Sequence, residues 1–239
     1  MADRRPATDD PEAAVLWFGH APDHESGRRP SLTRERVVAE ALDVISDAGV
    51  QALTMRSLAT RLDVVPGALY RHVRSKEQLH DLVLDEILAE VDVRNDPEAP
   101  WPEQLTTLAR RLRTVLEAHP GIAGLLKLRA PLTPHSLALA EAFLEPLLAA
   151  ALPPPQAALA YHLIHDYTVG FALSDRSSAT ERRSSDPATR QQLLDFLRSL
   201  PDERFPLLAT LGELIWVDDR DERFDANLDT LVQGLQRRG

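Results

Sequence analysis

The 239-residue sequence contains no cysteine. This absence excludes disulfide bonds and thiolate metal sites, and it agrees with a reducing cytoplasm, where we expect the protein to act. Glycine is scarce, with 10 residues, and the sequence has no phosphate-cradling glycine-rich loop, nucleophile elbow or metal-protease histidine motif. We therefore predict that the protein is not an enzyme and that it carries no cofactor and no metal.

Long apolar runs are also lacking. Residues 146–165 contain no Asp, Glu, Lys or Arg, but Pro153, Pro154 and Pro155 interrupt them, so this stretch cannot form a membrane-spanning helix. The N-terminus has no apolar core of signal-peptide length. We expect no membrane partner.

Helical periodicity is what the sequence does contain, and no strand-like alternation competes with it. We predict an all-α protein in three parts. Residues 1–30 form a flexible N-terminal arm rich in Pro, Asp, Gly and Arg, residues 31–92 a small helical domain with the start of a connecting helix, and residues 93–239 a second helical domain. Prolines at 97, 100 and 102 mark the boundary between the two domains.

The predicted helices are placed by apolar stripes and capping residues. They cover about 33–48 and 76–91 in the first domain, with two short helices between, and about 102–118, 121–130, 134–151, 155–174, 187–200 and 221–237 in the second. The polar residues 174–188 form a loop that is either a lid or an insertion.

Residues 54–76 have the pattern of two short helices joined by a tight turn and followed by a third. Thr54 is suited to cap the first helix, and Leu58 and Leu62 give it one apolar stripe. Ser75 with Gln78 predicts a capping box at the start of the third helix.

The second short helix begins at a proline, Pro66, which suits the first helical position. Leu69 and Val73 face inward. The small residues Gly67 and Ala68 would let the helix N-terminus approach a base edge or a phosphate closely. This arrangement favours DNA binding.

Charge supports the same interpretation. Residues 28–76 hold nine Lys/Arg and five Asp/Glu, a balance of +4, whereas the whole chain is −10, so the remainder sums to −14. A basic segment in an acidic protein is typical of a phosphate-binding face. The alternative is a helical hairpin of an all-α enzyme with solvated arginines. The predicted DNA-binding residues are Arg28, Arg29, Arg34, Thr54, Arg56, Pro66, Gly67, Ala68, Tyr70, Arg71, His72 and Lys76.

Within this set, Arg56, Tyr70 and His72 are expected to read bases, because Pro66-Gly67-Ala68 offers almost no side-chain hydrogen bonding. Tyr70, His72 and Lys76 are also suited to contact phosphates. The stretch 27–30 either lies along a minor groove or is a solvated linker.

One known family has these residues in this order and spacing. They are Leu53 to Ala59, Leu62, Ala68 to Val73, Ser75 and Lys76, with the preceding helix from Leu32 to Val50. They resemble the helix-turn-helix of the TetR family of bacterial transcription regulators over roughly residues 30–91. The resemblance implies a homodimer on double-stranded palindromic DNA, most often a repressor, released by a small-molecule inducer that binds among the C-terminal helices.

The resemblance also implies a ligand pocket. Candidate lining residues are Trp101, Leu105, Leu108, Leu112, Leu125, Arg129, His135, Phe143, His162, His165, Asp166 and Tyr167. His162 and Asp166, four apart on one helix, either share a metal or polar ligand group or form an ordinary hydrogen-bonded pair. Arg129 either binds an anionic ligand or lies at the surface.

Two apolar stripes in the second domain are candidates for a dimer interface. Their residues are Leu159, Leu163, Tyr167, Gly170 and Phe171 on one helix and Phe224, Leu228, Leu231, Val232 and Leu235 on the other. Together they could form a four-helix bundle across a two-fold axis. The alternative is that both stripes belong to the core of a single chain.

Two other functions remain open from the sequence. One is an all-helical small-molecule-binding protein or enzyme whose helix-turn-helix does not function. The other is a DNA-bending protein without specificity, whose binding would vanish with salt equally for all sequences.

Overall fold

The computed structural model describes residues 31–119, 121–128, 131–177, 187–216 and 219–237. Every regular element within these ranges is a helix, which confirms the all-α prediction. Residues 33–239 form one compact unit. The predicted N-terminal arm, with Arg28 and Arg29, lies outside the described residues.

Eleven α-helices and one short 3₁₀ segment make up the described part of the unit. They are α1 (Arg34–Ala48), the 3₁₀ segment (Val50–Ala52), α2 (Met55–Arg61), α3 (Pro66–Leu69), α4 (Lys76–Leu88), α5 (Trp101–Ala118), α6 (Ile122–Leu128), α7 (Pro134–Ala149), α8 (Pro154–Ser177), α9 (Pro187–Arg198), α10 (Pro206–Trp216) and α11 (Arg220–Gln236).

Helix α1 begins and ends where its sequence predicts. The Thr33 side chain accepts a hydrogen bond from the backbone N–H of Arg36, and the helix ends at Gly49, whose φ of 81° favours glycine. Its buried face packs against α2 and α4. With α3, which packs on α2, helices α1 and α2 form one small cluster.

Helix α4 connects this cluster to the rest of the unit. It packs against α1 on one side and against α5, α6 and α7 on the other. Its regular part ends at Leu88, about one turn earlier than predicted, and buried Val91 follows. The His135 backbone N–H donates to the Asp85 carboxylate over 2.9 Å, which joins the start of α7 to α4.

A buried arginine joins α5, α8 and α11. The Arg113 guanidinium lies 5.1 Å from the ring centre of Phe171 and 4.6 Å from that of Phe224. It forms ion pairs with Glu117, 2.6 Å away, and with Asp221. Burial lowers the pKa of Arg113, but the two carboxylates outweigh burial and the net shift is upward. This contact sets the position of the last helix against the core.

Helix α10 was not assigned from the sequence. It packs on α9, where an added Cβ on Gly212 would lie 3.2 Å from the Leu197 side chain. Several large apolar side chains of these two helices are exposed: Phe196, Leu207, Leu211, Leu214 and Ile215. Among the described residues, no helix has the length and apolar character needed to cross a bilayer.

Candidate nucleic-acid interface and ligand cavity

Local hydrogen bonds build the start of α2 and the turn that joins it to α3. Thr54 and Ser57 form a complete capping box, each side-chain oxygen accepting from the other residue's backbone N–H over 2.9 Å. In the turn, Asp63 has a φ of 55°, a left-handed conformation that Asp tolerates. Pro66 is the first residue of α3, as predicted. Leu69 is completely buried beneath it.

The N-terminus of α3 is open to solvent. Val65 is 70% exposed, Pro66 and Gly67 are exposed, and Tyr70 is 51% exposed. A Cβ added to Gly67 would meet no atom within 4 Å. This end of α3 therefore presents nearly bare backbone, flanked by Tyr70 and the half-buried Ala68.

Four unpaired cations lie on α2, on the segment that follows α3, and at the start of α4. Arg56, Arg71 and Arg74 are exposed and Lys76 is half-buried, and within the described ranges none of the four forms an ion pair. Arg74 was not among the predicted DNA-binding residues. Their charge is available to an anion.

Other polar residues nearby are engaged within the protein. Arg61 pairs with Asp47 over 2.9 Å and Glu40 over 2.6 Å, and these hydrogen bonds raise its pKa. Arg34, a predicted DNA contact, donates through Nε to the backbone carbonyl of His72 over 3.3 Å. It therefore fastens α1 to the segment after α3.

The start of α4 differs from the predicted capping box. Ser75 does accept from the Gln78 backbone N–H over 3.2 Å. The Gln78 side chain, however, accepts from the backbone N–H of Arg74 over 2.6 Å and not from that of Ser75. The Gln78 amide thus fixes the backbone between α3 and α4, beside Lys76.

A cavity of about 690 Å³ lies among α4, α6, α7 and α8. Its mouth includes Leu132, 85% exposed, and Leu137, 50% exposed. Leu88, the last residue of α4, forms part of its wall. The lining includes Leu88, Leu126, Lys127, Pro131, Leu132, Ser136, Leu137, Leu139, Ala140, Tyr161, His162, His165, Asp166, Val169 and Gly170.

The predicted pocket residues divide into several groups. His162, His165 and Asp166 line this cavity. Leu105, Leu108, Leu112, Leu125 and Phe143 are buried in the core, with 0 or 1% exposure.

The remaining predicted pocket residues lie elsewhere. Trp101 lines a separate cavity of about 240 Å³ with Leu152. His135 contacts Asp85, and the Tyr167 hydroxyl donates to a backbone carbonyl of α11. Arg129 falls outside the described residues.

Tyr161, absent from the prediction, is at the centre of the polar wall. Its ring stacks on that of His165, with centres 5.5 Å apart, and meets His162 edge to face at 5.1 Å. Burial raises the pKa of Tyr161, and the charge of Asp166 adds to that effect. Tyr161 is one turn before His165, so the α8 periodicity was the available signal.

Asp166 pairs with His165 and not, as the sequence suggested, with His162. His165 Nδ1 lies 3.3 Å from Asp166 Oδ1. Burial lowers the pKa of His165 even though Asp166 acts in the opposite direction. Among the described residues, no group of three or more His, Asp or Glu side chains is placed to hold a metal ion.

The predicted dimer residues differ in their exposure to solvent: some are buried within the single chain and others are accessible. Phe224, Leu228 and Val232 are buried within the single chain, with 0 to 3% exposure, so they cannot contact a partner in this conformation. Phe171 and Tyr167 pack on Phe224, with ring centres 5.0 and 5.3 Å away.

The rest of the predicted dimer set is more accessible. Leu159 and Leu163 of α8 are 70% and 43% exposed, and with Leu235 they line an apolar cavity of about 360 Å³. Gly170 and Leu231 are half-buried. Only part of the two stripes can therefore meet another protomer.

Known proteins match both halves of the chain. The family model described as bacterial regulatory proteins of the tetR family matches residues 37–83, and that described as the tetracyclin repressor-like C-terminal domain matches residues 95–238. An HTH-type transcriptional regulator of Saccharopolyspora erythraea is 29% identical over 208 residues, which cover 87% of this chain and 86% of the relative.

Two further proteins are similar along most of their length. The HTH-type transcriptional repressor DrrR1 of Streptomyces coeruleorubidus is 30% identical over 236 residues, 94% of this chain and 86% of the relative. The crystal structure of ActR from Streptomyces coelicolor in complex with actinorhodin has a TM-score of 0.78 and 32% identity, and the match covers 87% of this chain and 97% of that one. The chain belongs to the TetR family of bacterial transcription regulators.

Proposed function

We propose that the protein is a homodimeric repressor that binds a palindromic operator and is released by a small molecule bound in the cavity beside α8. The observation that carries this proposal is α4, which begins at Lys76, seven residues after the end of α3, and ends at Leu88 in the cavity wall. The two residues are twelve helical steps apart, or about 18 Å. A displacement of the wall therefore moves the DNA-facing end directly.

The DNA contact is supported by charge and shape. The exposed N-terminus of α3 has a bare glycine and a proline at its tip, so it can approach base edges in a major groove. Arg56, Arg71 and Lys76 are free of ion pairs within the described ranges and can neutralise phosphates.

A dimer is supported by the exposed apolar side chains of α8. Leu159 and Leu163 are one turn apart and open to solvent in the single chain. A palindromic operator places two recognition helices roughly 34–36 Å apart, which one protomer cannot supply.

Ligand release is supported by the cavity and by the relatives. A volume of about 690 Å³ is within the range of small-molecule sites, which is roughly 300–1,000 Å³. ActR has been crystallised with actinorhodin, and DrrR1 is named as a repressor. A ligand that fits better when the end of α4 is displaced would lower operator affinity by favouring that arrangement.

The proposal is tested on DNA flanking the protein's own gene. Purified protein is examined by mobility shift with excess nonspecific competitor, and retained fragments are footprinted. We expect protection of an inverted repeat, with two protomers per repeat in analytical ultracentrifugation. If neither flanking DNA nor selection from random duplexes returns a preferred sequence, specific repression is wrong. Loss of binding equally for all sequences as salt rises would indicate a nonspecific DNA-binding protein.

A further inference from the structure

His165 lines the cavity and has a hydrogen-bond acceptor that the described residues leave unused. Its Nδ1 lies 3.3 Å from the Asp166 carboxylate, which only accepts hydrogen bonds at neutral pH, so Nδ1 carries the ring proton. Burial lowers the pKa of His165, which keeps the ring neutral. Its other nitrogen, Nε2, is then unprotonated, and no hydrogen bond reaches it from the described residues.

The surroundings of this nitrogen restrict what can bind. The His165 ring is held by stacking on Tyr161, and His162 contributes a further aromatic edge. Most of the remaining wall is apolar, as at Leu126 and Val169. A ligand that fills the cavity must therefore have an apolar body, and aromatic rings pack well on such a wall.

We propose that His165 Nε2 is the acceptor that selects ligands with an acidic hydroxyl group, a phenol or an enol, on an apolar aromatic body, and that Asp166 is a positioning residue. The inference rests on the proposed function only in taking this cavity as the ligand site. An acidic hydroxyl is the best match because its hydrogen bond shifts positive charge onto the imidazole, which the Asp166 carboxylate stabilises from the other side. A methylated hydroxyl has no proton to donate.

The tautomer can be tested without a ligand. Nitrogen-15 NMR of histidine-labelled protein should show the His165 proton on Nδ1, with Nε2 unprotonated. Asp166→Ala should move part of the population to the other tautomer, because it removes the acceptor that holds the proton. If His165 is protonated on Nε2 in the unaltered protein, the inference is wrong.

The selectivity is tested with 2-naphthol and 2-methoxynaphthalene, which share one aromatic body and differ in the donor. Fluorescence titration should show 2-naphthol binding about five- to tenfold more tightly, the worth of one hydrogen bond. His165→Phe keeps a ring for stacking and should abolish the preference, and Asp166→Ala should reduce it. His119→Gln is the matched control, because this histidine pairs with Glu90 over 2.9 Å outside the cavity lining; the preference should survive there.

These titrations contain no DNA, so their results do not depend on whether the protein is a repressor. Equal affinity for the two probes, no binding of 2-naphthol, or an intact preference in His165→Phe overturns the inference. If the protein binds an operator and some other ligand releases it, the repressor proposal holds in each of those cases.

Discussion

Replacing Lys76 by Gln should reduce the salt dependence of DNA binding by an amount that the structure fixes. Four cations of each protomer, Arg56, Arg71, Arg74 and Lys76, form no ion pair among the described residues. Four in each of two protomers give eight. If all of them neutralise phosphates, the slope of log K against log salt concentration is about −7, since each phosphate contributes about 0.9.

Lys76→Gln removes one of these contacts from each half-site, two per dimer. The slope should therefore move toward zero by about 1.8, and affinity at fixed salt should fall for operator and unrelated DNA alike. Arg61→Gln is the matched control. The Arg61 guanidinium is already paired with Glu40 and Asp47, so its loss should leave the slope unchanged.

The assay is fluorescence anisotropy with a labelled operator and a scrambled duplex, at several potassium chloride concentrations. Circular dichroism melts of both variants establish that the fold is retained. An unchanged slope in Lys76→Gln would refute the assignment of this lysine to a phosphate. A change of equal size in Arg61→Gln would refute the distinction between paired and unpaired cations on which the estimate depends.

The remaining predictions concern other parts of the molecule. Gly67→Ala should not lower thermal stability, because the added Cβ meets nothing within 4 Å, yet it should weaken operator binding in the anisotropy assay. Gly234→Ala, equally open in α11, should leave binding unchanged and raise stability by up to about 1 kcal/mol, because alanine favours a helix more than glycine does. Arg113→Leu should lower the free energy of unfolding, measured by urea titration, by about 2 kcal/mol, because the charge-assisted hydrogen bonds to Glu117 and Asp221 are lost; an unchanged midpoint would contradict this. Leu163→Asp should dissociate the dimer in analytical ultracentrifugation, and a persistent dimer would remove Leu163 from the interface. Acidification below about pH 6.5 should destabilise the protein, because the lowered pKa of His165 in the folded state means that the unfolded chain binds the proton more readily. His165→Gln should flatten this pH dependence in thermal melts. An identical profile in the variant would contradict the assignment of the pH dependence to His165.

The helix-turn-helix could be predicted almost residue by residue because its determinants are local. The Thr54 cap, the proline at the start of α3 and the apolar spacing of Leu58 and Leu62 each act within a few residues. The capping box predicted for Ser75 and Gln78 is only half formed, because the Gln78 side-chain oxygen accepts from the backbone N–H of Arg74 and not from that of Ser75. That choice depends on the backbone path between α3 and α4, which spacing alone does not define.

The cavity was predictable only in part because its wall joins distant segments. Leu88, Leu126 and Leu137 come from three helices, and nothing in their local pattern distinguishes a cavity wall from a packed core. The same ambiguity placed Leu105 and Phe143 in the pocket, although both are completely buried. Apolar periodicity identifies the inward face of a helix, but how closely the next helix packs on that face is a tertiary property.

The position of α4 between the two proposed sites also affects the ligand concentration at which a promoter would respond. In the proposed mechanism one helix of 13 residues joins the DNA-binding end to the ligand cavity, and any free-energy coupling between the two sites acts in both directions. Bound operator then lowers the affinity for the small molecule by the same factor by which the small molecule lowers the affinity for operator. Ligand affinity measured on free protein would overstate sensitivity at the promoter, and extra operator copies would raise the ligand concentration needed to open it.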